Sequence, residues 1–191
     1  MNPSLWLALA AGVGIAAACG LRAFLPLFLL GLASRFGSLG LEPHVRWLAS
    51  DPALIALGAA TALELAADKI PIVDHVLDAI GIALRPAAAW LGAYAVLVQW
   101  PEPWGAIVAL ILGGGALVLH TLRAKLRLGS TVLTAGAANP LLSLGEDLLT
   151  VLLVGLALLA PLLVLLLVAL WIAAIARWRH RRATGGSPTS V

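Results

Sequence analysis

From Leu148 to Ala176 the chain carries no charged residue, and its Leu, Val, Ala and Ile are interrupted only by single Thr, Gly, Pro and Trp residues. Such a run exceeds the roughly 20 apolar residues that a helix needs to cross the hydrocarbon core of a bilayer. The rest of the chain has the same character, with 62% hydrophobic and 11% charged residues and a mean hydropathy of +1.04. A soluble domain has about 45–50% apolar and about 25% charged residues. So few charges cannot cover so much apolar surface, and lipid must be the solvent for most of it. No stretch alternates polar and apolar residues as a membrane barrel requires, which leaves the helix, the element that satisfies its own backbone in lipid. The expected fold is an all-α, polytopic integral membrane protein with about five to six hydrophobic segments, several broken or re-entrant.

The first segment, from Pro3 to Ser34, is expected to span as far as Ala18, break around Cys19-Gly20-Leu21-Arg22-Ala23-Phe24-Leu25-Pro26, and resume as a half-helix. It lacks a basic lead-in and a distinct cleavage site, so it reads as a retained helix rather than a signal peptide. Arg35 to Ser50 reads as an interfacial loop anchored by Trp47, with His44 solvated. Asp51-Pro52 is expected to cap the next helix, which runs to Asp68. The segment from Val73 to Trp100 contains Arg85-Pro86, read either as a kink or as the end of a re-entrant half-helix. Trp100-Pro101-Glu102-Pro103-Trp104 is an aromatic turn at an interface. The apolar run from Gly105 to Leu119 contains Gly113-Gly114-Gly115, which permits close helix approach. Asn139 is expected to cap a following helix, and Pro161 to divide the last apolar segment.

Two polar islands interrupt this apolar background. Island A holds Glu64, Asp68, Lys69, Asp74, Asp78 and Arg85. Island B lies between His120 and Asp147 and holds Arg123, Lys125, Arg127, Ser130, Thr131, Thr134, Asn139, Ser143, Glu146 and Asp147. Charged groups at membrane depth are costly, so a cluster of them is by default a functional site. Asn139, Ser143 and Glu146 or Asp147 share one helical stripe, which Thr150 continues. Oxygen donors ending in carboxylates suit a hard cation or a proton path, with Glu64, Asp68, Glu146 and Asp147 as the metal candidates. Arg22, Arg123 and Arg127 would pair with these carboxylates or hold an anion such as phosphate. Structural pinning of the helices by ion pairs near the interfaces is the alternative. No nucleophile–base–orienter pattern marks a catalytic site, and no cofactor is implied. The lone Cys19 excludes an internal disulfide, and the net charge of +3 is no nucleic-acid signal.

Gly20-Leu-Arg22-Ala-Phe-Leu25 and Thr121-Leu-Arg123-Ala-Lys-Leu126 share a short pattern, each after a Gly/Ala-rich span and each leading to carboxylates. This suggests repeat halves at residues 1–100 and 101–178, followed by a basic, disordered tail over 179–191. The Arg177–Arg182 run places the C-terminus in the cytoplasm, with the Arg123–Arg127 cations on that side and Trp100–Trp104 outside.

The chain resembles the bacterial integral-membrane family filed as domain of unknown function 4126. The resemblance rests on Gly20-Leu-Arg22-Ala-Phe-Leu-Pro26, Leu63-Glu64 with Asp68-Lys69-Ile70-Pro71 and Asp74, His120 through Ser130, and Asn139-Pro140-x-x-Ser143-x-x-Glu146-Asp147. It implies a bacterial inner-membrane protein and no particular activity. The function expected from the residues is a small, oligomeric transporter or channel for a cation or proton, with the bilayer and a small ion or solute as partners. A lipid-headgroup-binding or membrane-organising protein is the alternative, and a membrane-embedded enzyme a third.

Overall fold

The computed structural model describes residues 3–37, 39–67, 71–134 and 137–184. Among them the secondary structure is entirely helical: α1 (Pro3–Leu21), α2 (Phe24–Arg35), a 3₁₀ helix (Pro43–Ala49), α3 (Asp51–Ala67), α4 (Pro71–Val96), α5 (Trp104–Thr134), α6 (Asn139–Leu159) and α7 (Pro161–Thr184). Four of these, α1, α4, α5 and α6, are long and apolar enough to cross a membrane. The 3₁₀ helix and α3, bent by 66° at their junction, make a fifth if they are taken as one broken span.

Helix α1 is the centre of the bundle and packs on α4, α5, α6 and α7. Its small residues explain why. A Cβ on Gly14 would stand 2.8 Å from Ala157 Cβ, and one on Gly20 would stand 3.0 Å from the Ala116 carbonyl oxygen. Small residues let backbones approach where lipid offers no hydrophobic drive for helix association. The same holds between α4 and α5, where Gly113 faces the Pro86 carbonyl oxygen at 2.8 Å from its virtual Cβ.

The run of contacts defines the path. Trp100 Nε1 donates to the Leu5 carbonyl at 3.2 Å, and Arg85 Nη1 donates to the Gly20 carbonyl at 3.2 Å, so α4 runs antiparallel to α1. Leu27 of α2 reaches Gly92, and Glu42 N–H donates to the Ala95 carbonyl at 3.0 Å, so α2 doubles back beside α4. Arg35 then meets Asp51 at 2.8 Å, and α3 returns until Glu64 reaches the start of α2. With 12 residues, about 18 Å of helix, α2 goes only part of the way across a core of about 30 Å. The stretch α2–3₁₀–α3 thus leaves the break and returns to it. Helix α4 is continuous through Pro86, as the reading of Arg85-Pro86 within one long helix expects.

Several local expectations change. The Arg35–Ser50 stretch is no simple loop: Glu42 caps a 3₁₀ helix, its Oε2 accepting from His44 N–H at 2.7 Å. Ser50 rather than Asp51 caps α3, because its backbone is extended and its Oγ accepts from Ala53 N–H at 3.4 Å. Helix α5 does not end near Leu119 but carries the polar stretch through to Thr134. Asn139 is inside α6 rather than its cap; its Nδ2 donates to Thr131 Oγ1 at 2.9 Å, which ties down the α5–α6 turn. The basic run from Arg177 to Arg182 is helical, since α7 extends to Thr184.

Candidate functional site

The site is built on the interruption between α1 and α2. A break in an apolar run leaves carbonyls at the end of one helix and N–H groups at the start of the next, and lipid can satisfy neither. Charged side chains from other helices serve both ends. At the end of α1, the Arg85 guanidinium donates to the Gly20 carbonyl. At the start of α2, the Glu64 carboxylate accepts from Ala23 N–H at 2.9 Å through Oε1 and from Phe24 N–H at 3.1 Å through Oε2. A carboxylate across the first N–H groups of a helix also meets the positive end of its dipole. Arg85 and Glu64 are both buried.

Arg22, at the break itself, is fully buried. Its Nη2 donates to Ser143 Oγ at 2.9 Å, approaches Asp147 Oδ1 at 2.6 Å, and lies 3.9 Å from Glu146 Oε2. Glu146 Oε2 also accepts from Arg123 Nε at 2.7 Å and lies 3.7 Å from Arg127 Nη2. One carboxylate thus gathers three guanidinium groups, two from α5 and one from the break. Helical spacing explains the selection on α5. Arg123 and Arg127 are one turn apart and both buried, whereas Lys125 between them is exposed. On α6, Ser143, Asp147 and Thr150 continue the inward stripe, and Thr150 Oγ1 donates to the Glu146 carbonyl at 2.7 Å.

The structure therefore brings Arg22, Ser143, Glu146, Asp147, Arg123 and Arg127 together, with Glu64 on the other side of the break. Ser130 and Asn139 lie about one turn further out, at the α5–α6 turn. Asp68 and Lys69 lie outside the described residues. Asp74 and Asp78 are carried by the opening turns of α4, with their side chains outside the description. Among the described residues no three His, Cys, Asp or Glu side chains gather as a metal site would require, and the carboxylates of the cluster are already held by guanidinium or N–H groups. The two Leu-Arg-Ala segments also differ in setting, since Arg22 is at a helix break and Arg123 is within continuous α5.

Two residues that no stripe singled out also join the site: Arg85 of island A, and His120 at the edge of island B. Arg85 signals itself only as a lone charge before Pro86 in an apolar run. His120 is 3% exposed on α5, one turn before Arg123. Gly81 provides the space for both: a Cβ there would stand 3.1 Å from Arg85 Nε and 3.2 Å from His120 Cε1.

Long apolar helices around a buried set of charged side chains define a multi-pass membrane protein. Residues 9–181 match the family described as Domain of unknown function (DUF4126), and the chain belongs to that family. Searches of curated proteins and of solved structures matched nothing.

Proposed function

We propose that the protein is a small membrane transporter or channel whose arginine–carboxylate cluster at the α1–α2 break takes up a proton or small ion. The observation that carries this reading is the interrupted helix, with both of its ends held by charged side chains of neighbouring helices. Broken helices whose free backbone ends meet charged side chains of neighbouring helices are a recurrent construction for transport sites. Ion pairs shared among several partners, as at Glu146, can exchange partners when charge arrives or leaves. The carboxylates would act through these pairs rather than as a bare cation cage. In this reading the protein is bacterial inner-membrane, with Arg177–Arg182 in the cytoplasm and an oligomer completing the wall around the path.

The test is flux in proteoliposomes with pH- and cation-sensitive dyes, for the wild type and for Glu146→Gln/Asp147→Asn. Flux in the wild type with loss in a folded variant supports transport. Absence of flux in both folded proteins sinks it.

One observation favours a second reading, lipid-headgroup binding. Arg22 lies about 26 Å along the chain axis from the Leu5–Trp100 level, close to the full depth of the hydrocarbon core. Guanidinium groups near that boundary are suited to phosphate. Saturable binding of anionic-lipid nanodiscs over neutral ones, with no flux, would select this reading.

A further inference from the structure

Among the described residues at the cluster, His120 carries the side-chain type that ordinarily changes charge between pH 5 and 8. Arginine keeps its proton at any physiological pH, and each described carboxylate of the cluster already has a guanidinium or N–H partner. Imidazole is the side chain whose free titration falls between pH 5 and 8. His120 is buried within this cluster, and it shares with Arg85 the space opened by Gly81. Arg85 in turn holds the carbonyl of Gly20, in the last turn of α1 before the break.

We infer that His120 is the proton-accepting group of the cluster, and that its protonation places a second cation beside Arg85 and weakens the Arg85 hold on Gly20. This deepens the transport reading, on which it rests, by naming the proton as the ion and His120 as its acceptor. The sign follows from Coulomb's law. At high pH the neutral imidazole leaves Arg85 on the Gly20 carbonyl; as pH falls the two cations repel and the end of α1 is released. By position in the chain, the elements around His120 carry further charged and titratable groups. They are Arg123 and Arg127 on its own helix, Cys19 and Arg22 at the end of α1, Asp74 and Asp78 on the opening turns of α4, and Glu146 on α6, which meets Arg123. Gly81 is the positioning element: any larger residue there would push the imidazole and guanidinium off the α4 backbone.

The experiment uses two measurements. The single-histidine chain His44→Gln/His75→Gln/His180→Gln, labelled at histidine nitrogen and at the Gly20 carbonyl carbon, is titrated by NMR in nanodiscs from pH 5 to 8. Proton flux into liposomes is followed over the same range for the wild type and His120→Gln. The expected result is an imidazole titration within the window, a Gly20 carbonyl shift with the same midpoint, and at least a tenfold loss of the pH-dependent flux in His120→Gln. An imidazole that does not titrate overturns the inference, and so does a His120→Gln flux that keeps the wild-type pH profile. An imidazole that titrates together with Gly20, in a protein without wild-type flux, supports the proton site and removes the transport reading. The NMR arm needs no substitution at His120, so misfolding of that variant leaves it decisive.

Discussion

Arg22 at the α1–α2 break and Asp147 on α6 approach to 2.6 Å, a contact across more than 120 residues of chain. It joins two residues that no local pattern relates, and it pins the interrupted helix to the wall of the bundle.

Breaking that contact should cost stability. Removing one partner of a buried pair costs about 3–5 kcal/mol, because it strands the other charge. Asp147 is 27% exposed, so Arg22→Ala should fall near the lower end of that range. The measurement is reversible unfolding in detergent, with Asp147→Asn and the double variant completing a cycle. The double variant should cost clearly less than the sum of the two single ones.

Glu64 acts on the backbone of α2 rather than on another side chain. Glu64→Gln keeps one acceptor but loses the charge, and should cost about 1–2 kcal/mol, as loss of a good helix cap does. Its signature is local: the Ala23 and Phe24 amides, which donate to Glu64, should exchange with solvent faster while the α4 amides stay protected.

Adjacent glycines on α5 should respond with opposite sign. Gly113→Ala places a Cβ 2.8 Å from the Pro86 carbonyl oxygen, a backbone atom that cannot rotate away, and should destabilise by about 1–3 kcal/mol. A Cβ on Gly114 meets nothing within 4 Å. Gly114→Ala should be neutral, or stabilise by about 0.5–1 kcal/mol through helix propensity. Thermal unfolding of the two purified variants side by side checks both.

The proposed orientation puts Glu102 outside and Lys125 toward the cytoplasm. In a Cys19→Ala background, Glu102→Cys should react with an impermeant maleimide on intact cells, and Lys125→Cys only after permeabilisation. The reverse pattern inverts the topology. In the otherwise unaltered chain Cys19 should stay unlabelled until unfolding, since it is fully buried.

Chain order and helix class follow from short-range features that a sequence displays directly. The break at Arg22, the division at Pro161 and the inward stripe of Ser143, Asp147 and Thr150 are of this kind, because glycine, proline and helical periodicity act over a few residues. Caps were less legible. Ser50 and Asp51 both belong to capping residue types, and only the backbone angles at Ser50 decide between them. Asn139 was diverted from capping by Thr131, a partner across a turn.

Lipid penalises every exposed polar group regardless of arrangement, so residue order alone was enough to read a membrane chain, helical, with charge concentrated in two islands. What each charge does became readable from the packed helices alone. Glu64 lies with the carboxylates in sequence but serves the N-terminus of α2, and Arg85 lies beside Pro86 but serves the end of α1. Those roles depend on where a half-length hairpin turns back and how closely glycines let helices approach, and both are set by packing between residues distant in the chain.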